Sequence, residues 1–237
     1  MDYDTFMELV KKRRSIRSFK PDPIPDDYIE KIIDAARYAP SGANSQPWEF
    51  VVVKKKELKD AIVKLISETT VLAHRMELTR MEKERFPSFI KPPQHPPSYA
   101  DAPVFIILCG DTRTKNAYPL SAILNHADSI FTSSLASAFL HMHLAVTTFG
   151  LGAQWVTATG NPYEQSLIKD LLGIPNEMII YDMMVLGYPK SGPRIGKQIR
   201  AMEEMIHYDQ FDMSKFRSDE EVKDFIHPLR WKKNESD

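Results

Sequence analysis

The chain lacks three things that would point to other protein classes. It has a single cysteine, Cys109, in 237 residues, so it holds neither an intramolecular disulfide framework nor a Cys-based zinc site. It has no excess of positive charge, since 31 Lys and Arg stand against 32 Asp and Glu. That argues against a general nucleic-acid binder. No uninterrupted apolar run approaches the ~20 residues that span a bilayer. The opening stretch MDYDTFMELVKKRRS carries no signal-type apolar core. Both features point to a cytoplasmic protein with no membrane partner. Glycine is sparse, at nine residues, and proline frequent, at 17. Six prolines lie between positions 87 and 103, so regular structure is not expected there. What is present, 43% apolar and 27% charged residues, can build a full core. The length fits one domain or at most two small ones.

Periodicity predicts a helix over Thr5–Arg13, opened by a Thr5-x-x-Glu8 capping box. A second helix starts at Asp26 and stops at Pro40, and a third starts near Lys56. Trp48–Lys54, Pro103–Cys109 and Met178–Leu186 are strands whose continuous apolar runs imply burial on both faces. Residues 151–158 read as a short strand. Residues 119–149 form a long helical stretch, apolar most of the way round and therefore buried in a core or an interface. Asn161-Pro162 starts a helix that Gly173 and Pro175 stop. A short helix is expected at 202–207, and Ser218 with Glu221 caps a last one. Helices alternating with apolar strands make a layered structure around a buried sheet. The polar, proline-rich stretch 68–100 reads as an inserted segment of the kind that forms lids.

The densest chemical signal is RRSIR, Arg13–Arg17. Guanidinium forks around a serine hydroxyl suit a phosphate. Basic residues at a helix C-terminus also complement its dipole, so the motif alone carries both readings. APSGANSQPWEF, Ala39–Phe50, offers a small polar loop that can hydrogen-bond a flat heterocycle or simply connect a helix to a strand. GLGAQWVTATGNP matches neither a Rossmann nor a P-loop pattern. Arg194, Lys197 and Arg200 form a later basic cluster. His141 and His143, two apart on a helix, make a poor metal pair and read as core or interface histidines. Cys109 reads as a buried, unreactive thiol. No metal site is expected.

Taken in order, RRSIRSFKPDPIP, AARYAPSGANSQPWEFVVV, GLGAQWVTA, LLGIPNEMIIYDMMVLGYP and a basic segment leading to EEMIHYD resemble the FMN-dependent nitroreductase family, over about residues 5–210. The resemblance implies an α+β, three-layer nitroreductase-like sandwich with a mixed central sheet flanked by helices. It also implies an intertwined homodimer with FMN at the interface. Residues 1–210 would be the FMN-binding domain, with a lid insertion at about 68–100, and 211–237 a C-terminal extension. The resemblance puts Arg13, Arg14, Ser15 and Arg17 on the FMN phosphate and ribityl chain. It puts Pro40, Ser41, Gly42, Asn44 and Gln46 near the flavin from the partner subunit, and Trp155, Val156 and Thr157 at the ring. Lys197 or Arg200 closes the phosphate site. Thr157 aligns with the flavin N5, where a hydroxyl donor favours one-electron steps.

The implied activity is a ping-pong reduction of a small aromatic, quinone, nitro or enone acceptor, with NADH, NADPH or another reductant as donor. Three alternatives stand beside it. One is a deiodinase-like reductive dehalogenase using one-electron flavin chemistry. The others are a flavin-consuming synthase of the benzimidazole type and a non-catalytic flavin-binding dimer. Deiodinase-like lids grip their amino-acid substrate with a glutamate, a tyrosine and a lysine. The stretch SETTVLAHRMELTRMEKER has no tyrosine, which argues against iodotyrosine itself.

Overall fold

The sheet is built from three strongly apolar stretches of the chain and one shorter strand. In the computed structural model, which describes residues 2–86, 91–93, 96–192 and 199–231, these are β1 (Trp48–Val53), β2 (Val104–Asp111), β3 (Gly152–Val156) and β4 (Met178–Gly187), in the order β1-β2-β4-β3. Side chains alternate along β2. Val104, Ile106 and Leu108 enter one core layer, and Phe105, Ile107 and Cys109 the other. Both faces are thus covered, which is why β2 reads as one apolar run. The first layer holds α2 (Asp26–Arg37) and α5 (Ala127–Thr148); the second holds the start of α3 (Lys56–Leu78) and α6 (Pro162–Leu172). The three layers match expectation. The sheet is not mixed, however. Among the described residues all strand pairs are antiparallel, and the parallel contact is an isolated bridge between Ser15 and Ala153.

Caps set the helix limits. The first helix, α1 (Tyr3–Lys12), begins earlier than the Thr5–Glu8 box implies, because Asp2 accepts a hydrogen bond from the Thr5 N–H at 2.8 Å. It ends at Lys12, where Arg13 turns extended, so Arg13 and Arg17 do not share a helical face. Asn161 caps α6 and Gly173 closes it in the left-handed conformation, as expected. The reciprocal Ser218–Glu221 bonds open α7 (Asp219–Trp231). The stretch at 119–149 is two helices, α4 (Leu120–Asn125) and α5, broken at His126. Residues 68–78 continue α3 rather than starting an irregular segment. At 202–207 only a single 3-10 turn forms, Met202–Glu204.

The chain divides into two compact units, residues 1–69 with 94–193, and residues 70–93 with 194–237. The first contains the sheet. The second carries the end of α3, α7 and an aromatic cluster in which His207 stacks on Phe211 at 4.1 Å. Among the described helices, α5 is long and apolar enough to cross a membrane by composition. Asp128 and scattered serines hide this from a search for uninterrupted runs. Its Phe131, Leu135, Phe139 and Met142 are fully buried in the first layer.

The edge of β3 is closed by the N-terminal segment. The Ile16 N–H donates to the Ala153 carbonyl at 3.0 Å. A Cβ at Gly152 would lie 2.6–2.9 Å from three Ile16 side-chain atoms, so this close approach requires glycine. Gly152→Ala is expected to cost about 1–3 kcal/mol from overpacking. Combined with Ile16→Ala, it should cost less than the sum of the two single changes in urea denaturation. Strict additivity would show that the two residues do not meet.

Candidate functional site

Three basic residues leave α1 in succession and surround one cavity. Lys12, Arg13 and Arg14 line it from the N-terminal side, His143 and Thr147 of α5 from another, and Ala153 of β3 from below. The cavity measures about 170 Å³, and no carboxylate among the described residues lines it. Ser15 sits beside it, bridged to Ala153. Arg17 points to solvent. Neither the Arg13 nor the Arg17 guanidinium has a hydrogen-bond or carboxylate partner among the described residues. Like charges held close together repel, and an anion bound among them relieves that repulsion.

His143 forms the floor of this site. Its ring stacks on Trp155 (5.5 Å, 19°) and meets Phe139 edge-on at 5.3 Å. The residue is 3% exposed, and its Nε2 has no partner among the described residues. Burial, reinforced by the charge of Arg13, pushes its pKa down to about 4. Trp155 in turn donates its indole N–H to Asp182 of β4. Burial pushes the Asp182 carboxyl up to about 6, partly offset by that bond. Cys109 is buried, with its thiol pushed up to about 12 by burial, and is chemically inert.

The loop after α2 is a second, strained feature. Ala43, Asn44 and Gln46 have φ of 52°, 51° and 42°, a conformation that costs about 1–3 kcal/mol per non-glycine residue and gathers at functional sites. The Ser41 hydroxyl accepts from the Gln46 N–H at 3.1 Å, and the Gln46 amide donates to Asn44. The Gly42 N–H donates to Ser134 at 3.2 Å, and a Cβ on Gly42 would lie 2.1 Å from Ile130. Pro40, Asn44 and Gln46 are exposed. This loop therefore docks near Ser134 of α5, whereas the basic cavity lies at His143, about 13 Å further along the same helix. The structure does not bring the two together within one chain.

At the end of β3, Val156 is buried in the second layer and Trp155 is committed to His143 and Asp182. What residues 155–157 offer is backbone and the exposed Thr157 hydroxyl, which has no partner among the described residues. Arg200 is paired with Glu204 at 3.3 Å, in the second unit. Lys197 lies outside the described residues. Reasoning from sequence missed Lys12, His143 and Asp182 as members of this region. The available signals were a lone histidine in an apolar helix and a lone aspartate in the run MIIYDMMVL.

Residues 10–188 match the model of the nitroreductase family. The chain belongs to that family. It is 29% identical over 189 residues to a provisionally named NADH dehydrogenase/NAD(P)H nitroreductase of Methanothermobacter thermautotrophicus, covering 79% of this chain and 78% of that one. It is 33% identical over 196 residues to the iodotyrosine deiodinase of Drosophila melanogaster, covering 78% and 62%. Among solved structures, iodotyrosine deiodinase bound to FMN and 3-iodo-L-tyrosine superposes with a TM-score of 0.68 at 23% identity, covering 86% of this chain and 99% of that one. An FMN-dependent nitroreductase of Clostridium difficile superposes at 0.61 and 20%, covering 86% and 99%. At these identities the structural likenesses establish the nitroreductase fold.

The buried pair gives a pH signature. Folded Asp182 keeps its proton up to about 6, whereas the unfolded carboxyl loses it near the usual 3.8. Stability from this group therefore falls as pH rises between those values. Buried His143 acts oppositely, since its contribution is complete above 6.5 and is lost as pH falls towards 4. Asp182→Asn keeps an acceptor for Trp155 and removes the first effect. Its stability relative to wild type should rise between pH 4 and 6 in chemical denaturation. A difference that does not change with pH would contradict the assignment.

Proposed function

We propose that this nitroreductase-family protein is an FMN-dependent oxidoreductase that works as a homodimer. It reduces a small aromatic, quinone, nitro or enone acceptor in a ping-pong cycle with NADH or NADPH. The observation that carries this reading is the cavity of Lys12, Arg13 and Arg14, lined by no carboxylate among the described residues. Its donor set fits the phosphate of FMN. Arg13, Arg14, Ser15 and Arg17 would hold the phosphate and the ribityl chain. Residues 155–157 would meet the ring, and Ala153 to Thr157 spans about 13 Å of strand between the two ends. FMN would supply the redox chemistry, accepting electrons from the nicotinamide and passing them to the acceptor. The protein's part is to bind, to orient and to offer the Thr157 hydroxyl.

A second copy of the chain completes this reading. The strained loop of Ser41, Gly42, Asn44 and Gln46 sits too far along α5 to share its own chain's cavity. A partner's loop would supply those donors. Exposed Leu120 and Leu124 on α4, with Leu140 on α5, provide apolar surface for such a contact.

A one-electron, deiodinase-like variant of the chemistry is favoured by one observation, the exposed and unpartnered hydroxyl of Thr157. During anaerobic photoreduction it predicts a long-wavelength absorbance band at half-reduction that Thr157→Ala removes. Direct bleaching in the wild type would leave two-electron chemistry as the sole reading.

The main proposal is tested by titrating the full chain with FMN. Saturable binding is expected, followed by anaerobic bleaching with NADH or NADPH and recovery on adding a nitroaromatic or quinone. Arg13→Ala should weaken FMN by about 10- to 100-fold, the equivalent of about 1.5–3 kcal/mol for charge-assisted hydrogen bonds. A chain that takes up no FMN overturns the reading.

A further inference from the structure

His143 is an anomaly as a core residue. A buried ring nitrogen without a partner among the described residues costs about 1–3 kcal/mol, and such groups are few in native proteins. Phenylalanine or leucine would fill the same space between Phe139 and Trp155 at no such cost. The ring is also held at a fixed angle, stacked on an indole that is itself tied to Asp182. Fixed rings with one free donor are features of binding sites. This one lines the same cavity as Lys12, Arg13 and Arg14.

We propose that His143 is a binding residue for the anionic end of the cofactor, donating a hydrogen bond from its imidazole ring to the phosphate held by Arg13 and Arg14. The inference rests on the FMN reading above. The groups facing the ring agree with it. Arg13 and its neighbours stand on the cavity side, Phe139 lies on its own helix, and Trp155 with Asp182 stands behind. Burial and the Arg13 charge keep the free ring neutral, so it meets the ligand as an N–H donor and adds no further positive charge. A helix side chain from deep in the core thus supplements the surface arginines. Its short, rigid reach gives it a preference for phosphate over the rest of the cofactor.

The test is a fluorescence titration of the flavin-free full chain with FMN and with riboflavin, which lacks the phosphate. His143→Phe keeps the ring packing and removes the donor; His143→Gln restores an amide donor near the same place. His143→Phe should bind FMN about tenfold more weakly than wild type and bind riboflavin unchanged. His143→Gln should recover most of the loss. Equal weakening of both ligands would show a merely structural role, and unchanged FMN affinity would show none; either overturns the inference. Should His143→Phe fail to fold, the wild type still decides. Adding inorganic phosphate should shift one imidazole nitrogen resonance that is missing from His143→Gln, and an unshifted resonance overturns the inference. A wild type that binds no FMN overturns the functional reading and this inference with it. That result is distinct from FMN bound equally well by wild type and His143→Phe, which removes only the role of His143.

Discussion

The hydrogen bond from the Ile16 N–H to the Ala153 carbonyl joins the two parts of the molecule on which the site depends. It lays the strap after α1 along the open edge of β3, and Gly152 allows Ile16 to pack against that edge. The strap thereby becomes part of the sheet, and the guanidinium of Arg13 stands at the rim of a cavity rather than on a free chain end. A charged residue at an extended helix cap has little directional preference in isolation. Held beside a strand edge, Lys12, Arg13 and Arg14 would make the pre-organised anion site of the proposed function, and pre-organisation is what converts charge into affinity.

The second constraint is that the sheet is buried on both faces. This demands an apolar helix on one side, and α5 answers the demand with Phe131, Leu135, Phe139 and Met142. The same helix also supports everything of chemical interest. Ser134 anchors the strained loop near its middle, and His143 closes the basic cavity a few turns later. Packing and function are thus coupled through one rigid element. Changes to the aromatic group of Phe139, His143 and Trp155 would be felt at both.

Much of this was legible in the sequence. Strands β2 and β4 announced themselves because burial on both faces leaves Asp182 and the terminal Asp111 as their only charged residues. Helix α6 was legible from Asn161, Pro162 and Gly173, whose conformational preferences act locally. The Ser218–Glu221 cap was legible for the same reason. The break at His126 was not, since neither proline nor glycine marks it. The mixed sheet implied by the family resemblance gave way to an antiparallel one because the strap at Ser15 makes only a single parallel bridge. The early start of α1 turned on competition between two caps, Asp2 and Thr5. The site was half legible. RRSIR stood out as a local cluster of charge. Its partner His143 lies far away in sequence, and only the tertiary fold shows that a histidine in an apolar helix faces those arginines.

The central claim is that the cavity between the end of α1, α5 and the start of β3 holds the phosphate of FMN. A crystal structure of the full chain with FMN bound tests it most directly. The account predicts the phosphorus between Arg13, Arg14 and His143, with the ring towards Thr157. FMN bound with its phosphate elsewhere, leaving that cavity to solvent, would contradict it.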